Sequence, residues 1–334
     1  MKAVMVHAFG GAEALSLEER PDPVPGPGEV LLRVGAVPVN FVDTVVVAGR
    51  YQFTPPLPFT PGKGPAGTVA AIGPGVVGLA PGDRVLAMAE IGGYAELALA
   101  PADQCYRLPP AMSFAEAAAM SLAYDTAWFG LHERGRLAAG ETVLVLGATG
   151  AVGFAAMQLA RAAGARVLAG VSSMARAGQA REGGADAVID LGVENLRDGL
   201  RDQVQAATGG QGADVVLDML GGDIFDAALR AMAWRGRLVV VGFAAGRIPS
   251  AKANYLMVKN IEVSGLQISD YRKRMPGLVR RCFEEVFALY AEGKVAAPAS
   301  RSYPLAAAPE AFAALLARSV RERILLVPEG APAR

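Results

Sequence analysis

VLVLGATGAVG, Val143 to Gly153, is the stretch on which the reading of the whole chain turns. Its four apolar residues, Val143–Leu146, have the length and composition of a buried strand. They run into Gly147-Ala148-Thr149-Gly150-Ala151-Val152-Gly153, and a helical pattern follows to Gly164, which is placed to end it. A glycine-studded turn between a strand and a helix is the context in which such a loop holds phosphate. Gly147 ends the strand. Gly150 lets the backbone approach a pyrophosphate that a Cβ would push away, and Gly153 lets the helix lie close to the sheet. The first-turn N–H groups and the positive end of the helix dipole then face the phosphates. Ala148 stands where G-x-G-x-x-G has its first glycine, and it is small enough to serve.

The second strand of the unit selects the nucleotide. NAD sites carry an acidic residue about 20 residues past the loop, where it meets the ribose 2′-hydroxyl. Here that place reads Gly170-Val171-Ser172-Ser173-Met174-Ala175-Arg176, and no carboxylate follows until Glu182. Two hydroxyls and a cation suit a 2′-phosphate, so NADPH is expected in preference to NADH. The competing reading makes the serines an N-cap and Arg176 a solvated helix residue.

Working outward, strand and helix alternate after the loop. ARVLAGV, DAVIDL, DVVLDML, RLVVVGF and NIEVSGL supply five further strands, which predicts a parallel sheet covered on both faces. Before the loop the chain is β-rich. EVLLRVGAVPVN (Glu29–Asn40) alternates Val30, Leu32 and Val34 against Leu31 and Arg33, and Pro/Gly loops separate it from several short strands. Ser113 and Glu116 form a capping box that opens a helix. Residues 276–291 read as an amphipathic helix, and two late strands, SRSYPL and RILLVP, return to the β-rich part. The expectation is an α/β protein of two domains: residues 1–120 with 270–334, and residues 121–269.

The bulk composition narrows the partners. Lys plus Arg and Asp plus Glu are both 32, so nothing in the net charge recommends nucleic acid or an acidic membrane. The short basic run Arg272–Arg274 reads as a solvated helix start. No apolar run reaches the ~18 residues of a membrane span. Two unpaired cysteines and no apparent signal peptide suggest a cytoplasmic setting. The two histidines, His7 and His132, and the two cysteines, Cys105 and Cys282, are scattered singly, so no zinc ligand set is visible and a zinc-polarised mechanism is excluded. Cys105 lies in a strand-like segment and reads as a buried thiol rather than a nucleophile.

Taken together, VNFVDTVVVAGRY (Val39–Tyr51), LPFTPGKGPAGTVAAIGPGV, GDRV, GGYAEL, LGATGAVG and YPLAAAPEAFAALLARS resemble the zinc-free quinone oxidoreductase (zeta-crystallin-like) branch of the medium-chain dehydrogenase/reductases. The resemblance covers essentially the whole chain. It implies a GroES-like β-rich domain plus a Rossmann domain with a doubly wound parallel sheet, a cleft between them, NADPH as cofactor, and a homodimer or tetramer. By the same resemblance, Asn40 and Tyr51 line the nicotinamide site with Asp43 beside them. Thr126 of YDTAW and Gly242 and Phe243 of VVGFAAG border the nicotinamide, and Ser173, Arg176 and Arg318 hold the 2′-phosphate.

Three positions depart from the family pattern. The acidic residue of P-G-x-E-x-x-G is Gly64, within Pro61-Gly62-Lys63-Gly64-Pro65-Ala66-Gly67. A Tyr that some members place after the third Rossmann strand is Leu191, and the usual G-K before the last strand is Glu322-Arg323. The expected reaction is hydride transfer from NADPH to an electron-poor acceptor, a quinone or an activated alkene. Asn40 or Tyr51 would donate a hydrogen bond to the acceptor oxygen, and Tyr51 is the nearest proton donor. Lys63 suggests an anionic acceptor, against the plainer reading of a surface lysine kept for solubility. An NADPH-binding protein of low turnover is the rival outside the enzyme class. A homodimer is expected to form by edge pairing of the strand at Ile261–Leu266.

Overall fold

The computed structural model describes residues 1–331, which divide into two compact units. The first comprises Met1–Leu122, Arg272–Phe287 and the chain from Ala297 onward; the second comprises Ala123–Tyr271 and Ala288–Ala296.

The first unit opens with β1 (Lys2–Val6) and β2 (Leu15–Glu19), an antiparallel pair. Strand β3 (Glu29–Pro38) is the spine of a larger sheet. Val30, Leu32 and Val34 are buried while Arg33 is exposed, which is the alternation of the sequence expressed as two faces. α1 (Phe41–Val47) follows at once. β4 (Ala66–Ile72) pairs with β3 and with β5 (Arg84–Ala87). β6 (Leu97–Pro101) covers residues Glu29–Arg33 of β3, and β7 (Cys105–Arg107) covers β5.

α2 (Phe114–Trp128) starts on the capping box: Ser113 N–H donates to Glu116 Oε2 at 2.8 Å, and Glu116 N–H donates to Ser113 Oγ at 3.2 Å. The second unit then alternates β8 (Thr142–Leu146), α3 (Ala151–Ala162), β9 (Arg166–Val171), α4 (Ala177–Glu182), β10 (Ala187–Asp190), α5 (Leu196–Thr208), β11 (Ala213–Asp218), α6 (Gly222–Ala231), β12 (Met232–Val240), α7 (Ala253–Lys259) and β13 (Glu262–Gly265). All six strands are parallel, in the order β10-β9-β8-β11-β12-β13. Val143 to Leu146 are fully buried, as a parallel strand with both faces covered must be. The order reverses direction between β8 and β11, which opens a crevice at the C-terminal ends of those two strands.

α8 (Ile268–Arg274) and α9 (Pro276–Ala291) lead the chain back to the first unit. β14 (Ser300–Pro304) pairs parallel with β15 (Arg323–Val327), and β15 lies antiparallel on the end of β3, Leu325 opposite Pro38 and Leu326 opposite Val37. Thus β3, ten residues long, takes β6 on its first half and β15 on its last two residues. α10 (Ala308–Leu316) packs Ala308, Ala311 and Phe312 into the core beside Val37, Val39, Val46 and Tyr94. That core sits directly beneath Asn40 and α1.

Candidate functional site

In the second unit, the loop after β8 has the geometry of a phosphate cradle. Gly147 adopts φ +83°, a left-handed conformation that glycine takes without cost. Gly147 and Ala148 N–H both donate to Gly170 O at 3.1 Å, which ties the loop to the end of β9. Gly150 is the exposed N-cap of α3. A Cβ on Gly153 would stand 2.3 Å from Gly147 O and 2.7 Å from Ala148 Cα, so α3 can approach the loop only because residue 153 has no side chain. Thr149, Ala151 and Val152 stay partly exposed around the helix start, while Ala148 is buried beneath it. These residues fit a pyrophosphate on the first turn of a 12-residue helix.

Ser172 and Ser173 are exposed at the end of β9, on the same edge of the sheet. Ser173 Oγ caps the short turn that follows, accepting from Ala175 N–H at 3.3 Å, so the N-cap reading of this serine holds. Arg176 is not simply solvated: its Nη1 donates to Thr149 Oγ1 at 3.3 Å, bringing the cation to the phosphate loop. Leu191 is buried in the core of this unit and offers no polar contact.

The loops after β11 and β12 line the other side of the crevice. A Cβ on Gly147 would meet Leu220 at 3.2 Å, and one on Gly221 would meet Phe243 at 3.1 Å. Ala244 N–H donates to Met219 O at 3.1 Å, and Gly242 N–H to Asp218 O at 3.3 Å. Phe243 therefore sits, 43% exposed, against Gly221 of the loop that flanks Gly147. Asp218 was not anticipated. Its Oδ1 accepts from Leu220 and Gly221 N–H at 2.8 and 3.0 Å, which shapes that loop, and burial pushes its carboxyl above the usual range. Thr126 is buried in α2, with Oγ1 3.3 Å from Asp125 Oδ1.

The first unit gathers Asn40 and Asp43 into a buried polar cluster. They are the N-cap and third residue of α1. Asp43 Oδ2 accepts from Asn40 N–H at 2.9 Å, from Asn40 Nδ2 at 3.0 Å and from the Tyr94 hydroxyl at 3.0 Å. Asn40 Nδ2 also donates to Lys63 O at 3.4 Å, and Asn40 Oδ1 accepts from Arg323 Nη2. Arg323 Nη1 donates to Val39 O at 3.0 Å. Desolvation drives the Asp43 carboxyl up, against the pull of Asn40 N–H and the Lys63 charge; it drives the Arg323 guanidinium down. Both amide protons of Asn40 are thus committed within the cluster, so donation by Asn40 to an acceptor oxygen would cost one of these bonds. The arrangement ties the start of α1 to Tyr94, Lys63 and Arg323. Neither Tyr94 nor Arg323 was picked out from sequence as a site residue; GGYAEL and the Glu322-Arg323 departure were the signals.

Tyr51 is half-buried beside this cluster. Two charge expectations are corrected nearby. Lys63 is 2% exposed, not a solubilising surface residue: its Nζ donates to Glu90 O at 3.0 Å and forms an ion pair with Glu90 Oε2. Arg272 is 1% exposed near the end of α8, not at a solvated helix start, and its Nη1 lies 3.1 Å from Glu90 Oε1. Each cation meets a carboxylate distant in sequence, which outweighs the preference of an isolated charge for water. Arg318 is exposed just past α10 with φ +52°.

Among the described residues, no group of three or more His, Cys, Asp and Glu side chains could hold a metal, and no helix is long and apolar enough to cross a membrane. His7 is exposed and bonded to Glu18, and both cysteines are buried; burial pushes the Cys105 thiol up to about 12.

Comparison with known proteins agrees with this architecture. The alcohol dehydrogenase GroES-like domain model matches residues 26–110, and the model described as zinc-binding dehydrogenase matches residues 151–284. A quinone oxidoreductase-like protein 2 homolog of Nematostella vectensis is 37% identical over 304 residues, 90% of this chain and 82% of that protein. A mycobacterial quinone oxidoreductase structure superposes with TM-score 0.90 at 33% identity, over 98% of this chain and 100% of its own. The Escherichia coli quinone oxidoreductase complexed with NADPH gives TM-score 0.89 at 30% identity, over 98% and 100%.

Proposed function

The chain belongs to the quinone oxidoreductase family of the medium-chain dehydrogenase/reductases, and on that premise we propose that it is an NADPH-dependent, zinc-independent reductase of quinones. The observation that carries the cofactor is the link between Arg176 and Thr149: a cation reaches the pyrophosphate loop at the strand end where NAD enzymes place an acidic residue. Gly147, Ala148, Thr149, Gly150, Ala151, Val152 and Gly153 cradle the pyrophosphate, and Ser172, Ser173, Arg176 and Arg318 hold the 2′-phosphate. Thr126, Gly242 and Phe243 border the nicotinamide. Bound there, NADPH would supply a hydride.

The chain's own residues handle the charge that hydride arrival creates. The quinone takes up a hydride, two electrons with one hydrogen, and needs one further proton to become the hydroquinone. The Tyr51 hydroxyl donates one: its O–H bond breaks, an O–H bond forms on the acceptor, and solvent returns a proton to the phenolate. The hydride brings the other hydrogen of the hydroquinone, so hydride and this one proton complete the reduction. Asn40, lining the nicotinamide site with Asp43 beside it, is held by Asp43 and the Lys63 backbone. The zinc-independent part rests on the scattered placement of His7, Cys105 and Cys282 described above. An enone or acrylate is the second acceptor class, since the same hydride and proton serve it.

NADPH oxidation, with NADH in parallel, against benzoquinone, naphthoquinone, methyl vinyl ketone and acrylate tests this reading. Turnover with NADPH and a quinone supports it, and faster enone turnover moves the assignment to alkene reduction. Tight NADPH binding with no turnover on any acceptor replaces it with a binding protein, and a preference for NADH refutes the 2′-phosphate site. A homodimer is part of the proposal: β13 is an edge strand, and Trp234, Met257 and Val258 on the preceding elements are about 70% exposed. A monomer by light scattering removes it.

A further inference from the structure

Lys63 and Arg272 are the charged residues of the first unit that neither the fold nor the proposed chemistry explains. Both are almost completely buried, and they approach one carboxylate, Glu90, from opposite oxygens. Burying a cation is costly unless a partner is fixed in place, so an arrangement of this kind needs a return. The position next to Lys63 shows why the carboxylate comes from residue 90. Gly64 has φ +72°, and a Cβ there would lie 2.8 Å from Ser121 Oγ and 3.0 Å from Ser121 Cβ. A side chain at residue 64 would crowd Ser121 in a strained backbone conformation, whereas Glu90 reaches Lys63 from a separate loop.

The other neighbour of the ammonium is the ring of Tyr51, whose centroid lies 5.5 Å from Lys63 Nζ, within cation–π range. We infer that Lys63 is a positioning residue for Tyr51, held against its ring by the Glu90–Arg272 pair. The ammonium fixes the ring's orientation and stays beside the phenol when its proton leaves. Because Glu90 is shared with Arg272, Lys63 remains anchored without turning toward the acceptor. This rests on the proposed role of Tyr51 as proton donor. It also removes Lys63 as the receptor of an anionic substrate, since its ammonium is engaged by Glu90.

The cleanest perturbation is Lys63→Met, because Glu90 then keeps Arg272 as its partner and no buried charge is stranded. With a quinone acceptor, kcat should fall about tenfold, within the range of a misplaced general acid. KM should change less than about twofold, because uniform binding is untouched. NADPH affinity should stay at the wild-type value, and Lys63→Arg should restore most of kcat. In a Tyr51→Phe background, Lys63→Met should add nothing further, since one residue acts through the other. Full kcat in Lys63→Met, or a loss that multiplies with that of Tyr51→Phe, overturns the inference.

A second readout needs no turnover. In protein labelled with carbon-13 tyrosine, the Tyr51 ring resonance, assigned by its loss in Tyr51→Phe, should shift in Lys63→Met. An unmoved resonance overturns the positioning role whatever the kinetics. A wild-type protein that reduces no acceptor but shows the shift refutes the proposed reaction and leaves the Lys63–Tyr51 contact standing.

Discussion

Gly150 and Gly153 lie three residues apart in one loop, and their replacement by alanine should have different consequences. On Gly153 the new Cβ would be 2.3 Å from Gly147 O and 2.7 Å from Ala148 Cα, both backbone atoms that cannot rotate away. Restoring ordinary contact, about 3.5 Å, requires α3 and the loop to separate by roughly 1 Å. Overpacking of that kind costs about 1–3 kcal/mol. On Gly150 the new Cβ would touch only Gly147 O, at 3.3 Å, and would otherwise project from an exposed N-cap. The cost to folding should be a few tenths of a kcal/mol, given roughly 0.5 kcal/mol for an ordinary surface change. The methyl group would, however, enter the space the pyrophosphate is assigned. Losing one or two phosphate hydrogen bonds, about 1.5–3 kcal/mol each, weakens NADPH binding by at least about tenfold. Urea denaturation measures the first quantity and quenching or calorimetric titration with NADPH the second. Gly153→Ala should lose both stability and binding; Gly150→Ala should lose binding alone. Wild-type NADPH affinity in a well-folded Gly150→Ala protein would refute the cradle.

Other perturbations probe separate parts of the argument. Arg176→Ala should lower the preference for NADPH over NADH by about ten- to a hundredfold, chiefly by weakening NADPH, read from the two dissociation constants; an unchanged ratio would return Arg176 to a structural role. A neutral enone and its carboxylate counterpart should be reduced at similar rates, because Lys63 is engaged by Glu90; a strong preference for the carboxylate in steady-state assays would contradict that geometry. Glu141 is held below its ordinary pKa of 4.5, first by the two-pronged bond from Arg237 at 2.8 and 2.7 Å. Its contribution is therefore present above pH 4.5 and is lost as pH falls through the lower folded value. Glu141→Gln should cost about 1–2 kcal/mol at pH 7 and almost nothing in strong acid, followed by denaturation at several pH values.

The local features were legible because their causes are local. The buried run Val143–Leu146, the glycines of the loop and the Ser113–Glu116 capping box each depend on neighbours a few residues away, and each forms as the sequence pattern requires. The alternation of strand and helix likewise carries the parallel sheet, and the in-out pattern of β3 carries its two faces. α1 was not legible, since Val45–Val47 are β-branched and its start is fixed by the Asn40–Asp43 contact.

Tertiary structure alone decided the fate of the charges. Nothing near Lys63, Arg272 or Arg323 in sequence names the partner each one meets. Their partners stand 27, 182 and 283 residues away, in Glu90, Glu90 and Asn40. A cation leaves water only when a fixed acceptor meets it, and that meeting exists only once the segments have come together. The sequence by itself therefore determined the loop, the sheet and the class of nucleotide to expect, because backbone geometry and apolar periodicity are short-range. The buried charge network that brings Lys63 to Tyr51 belongs to the folded molecule, because it is built from long-range charge pairing.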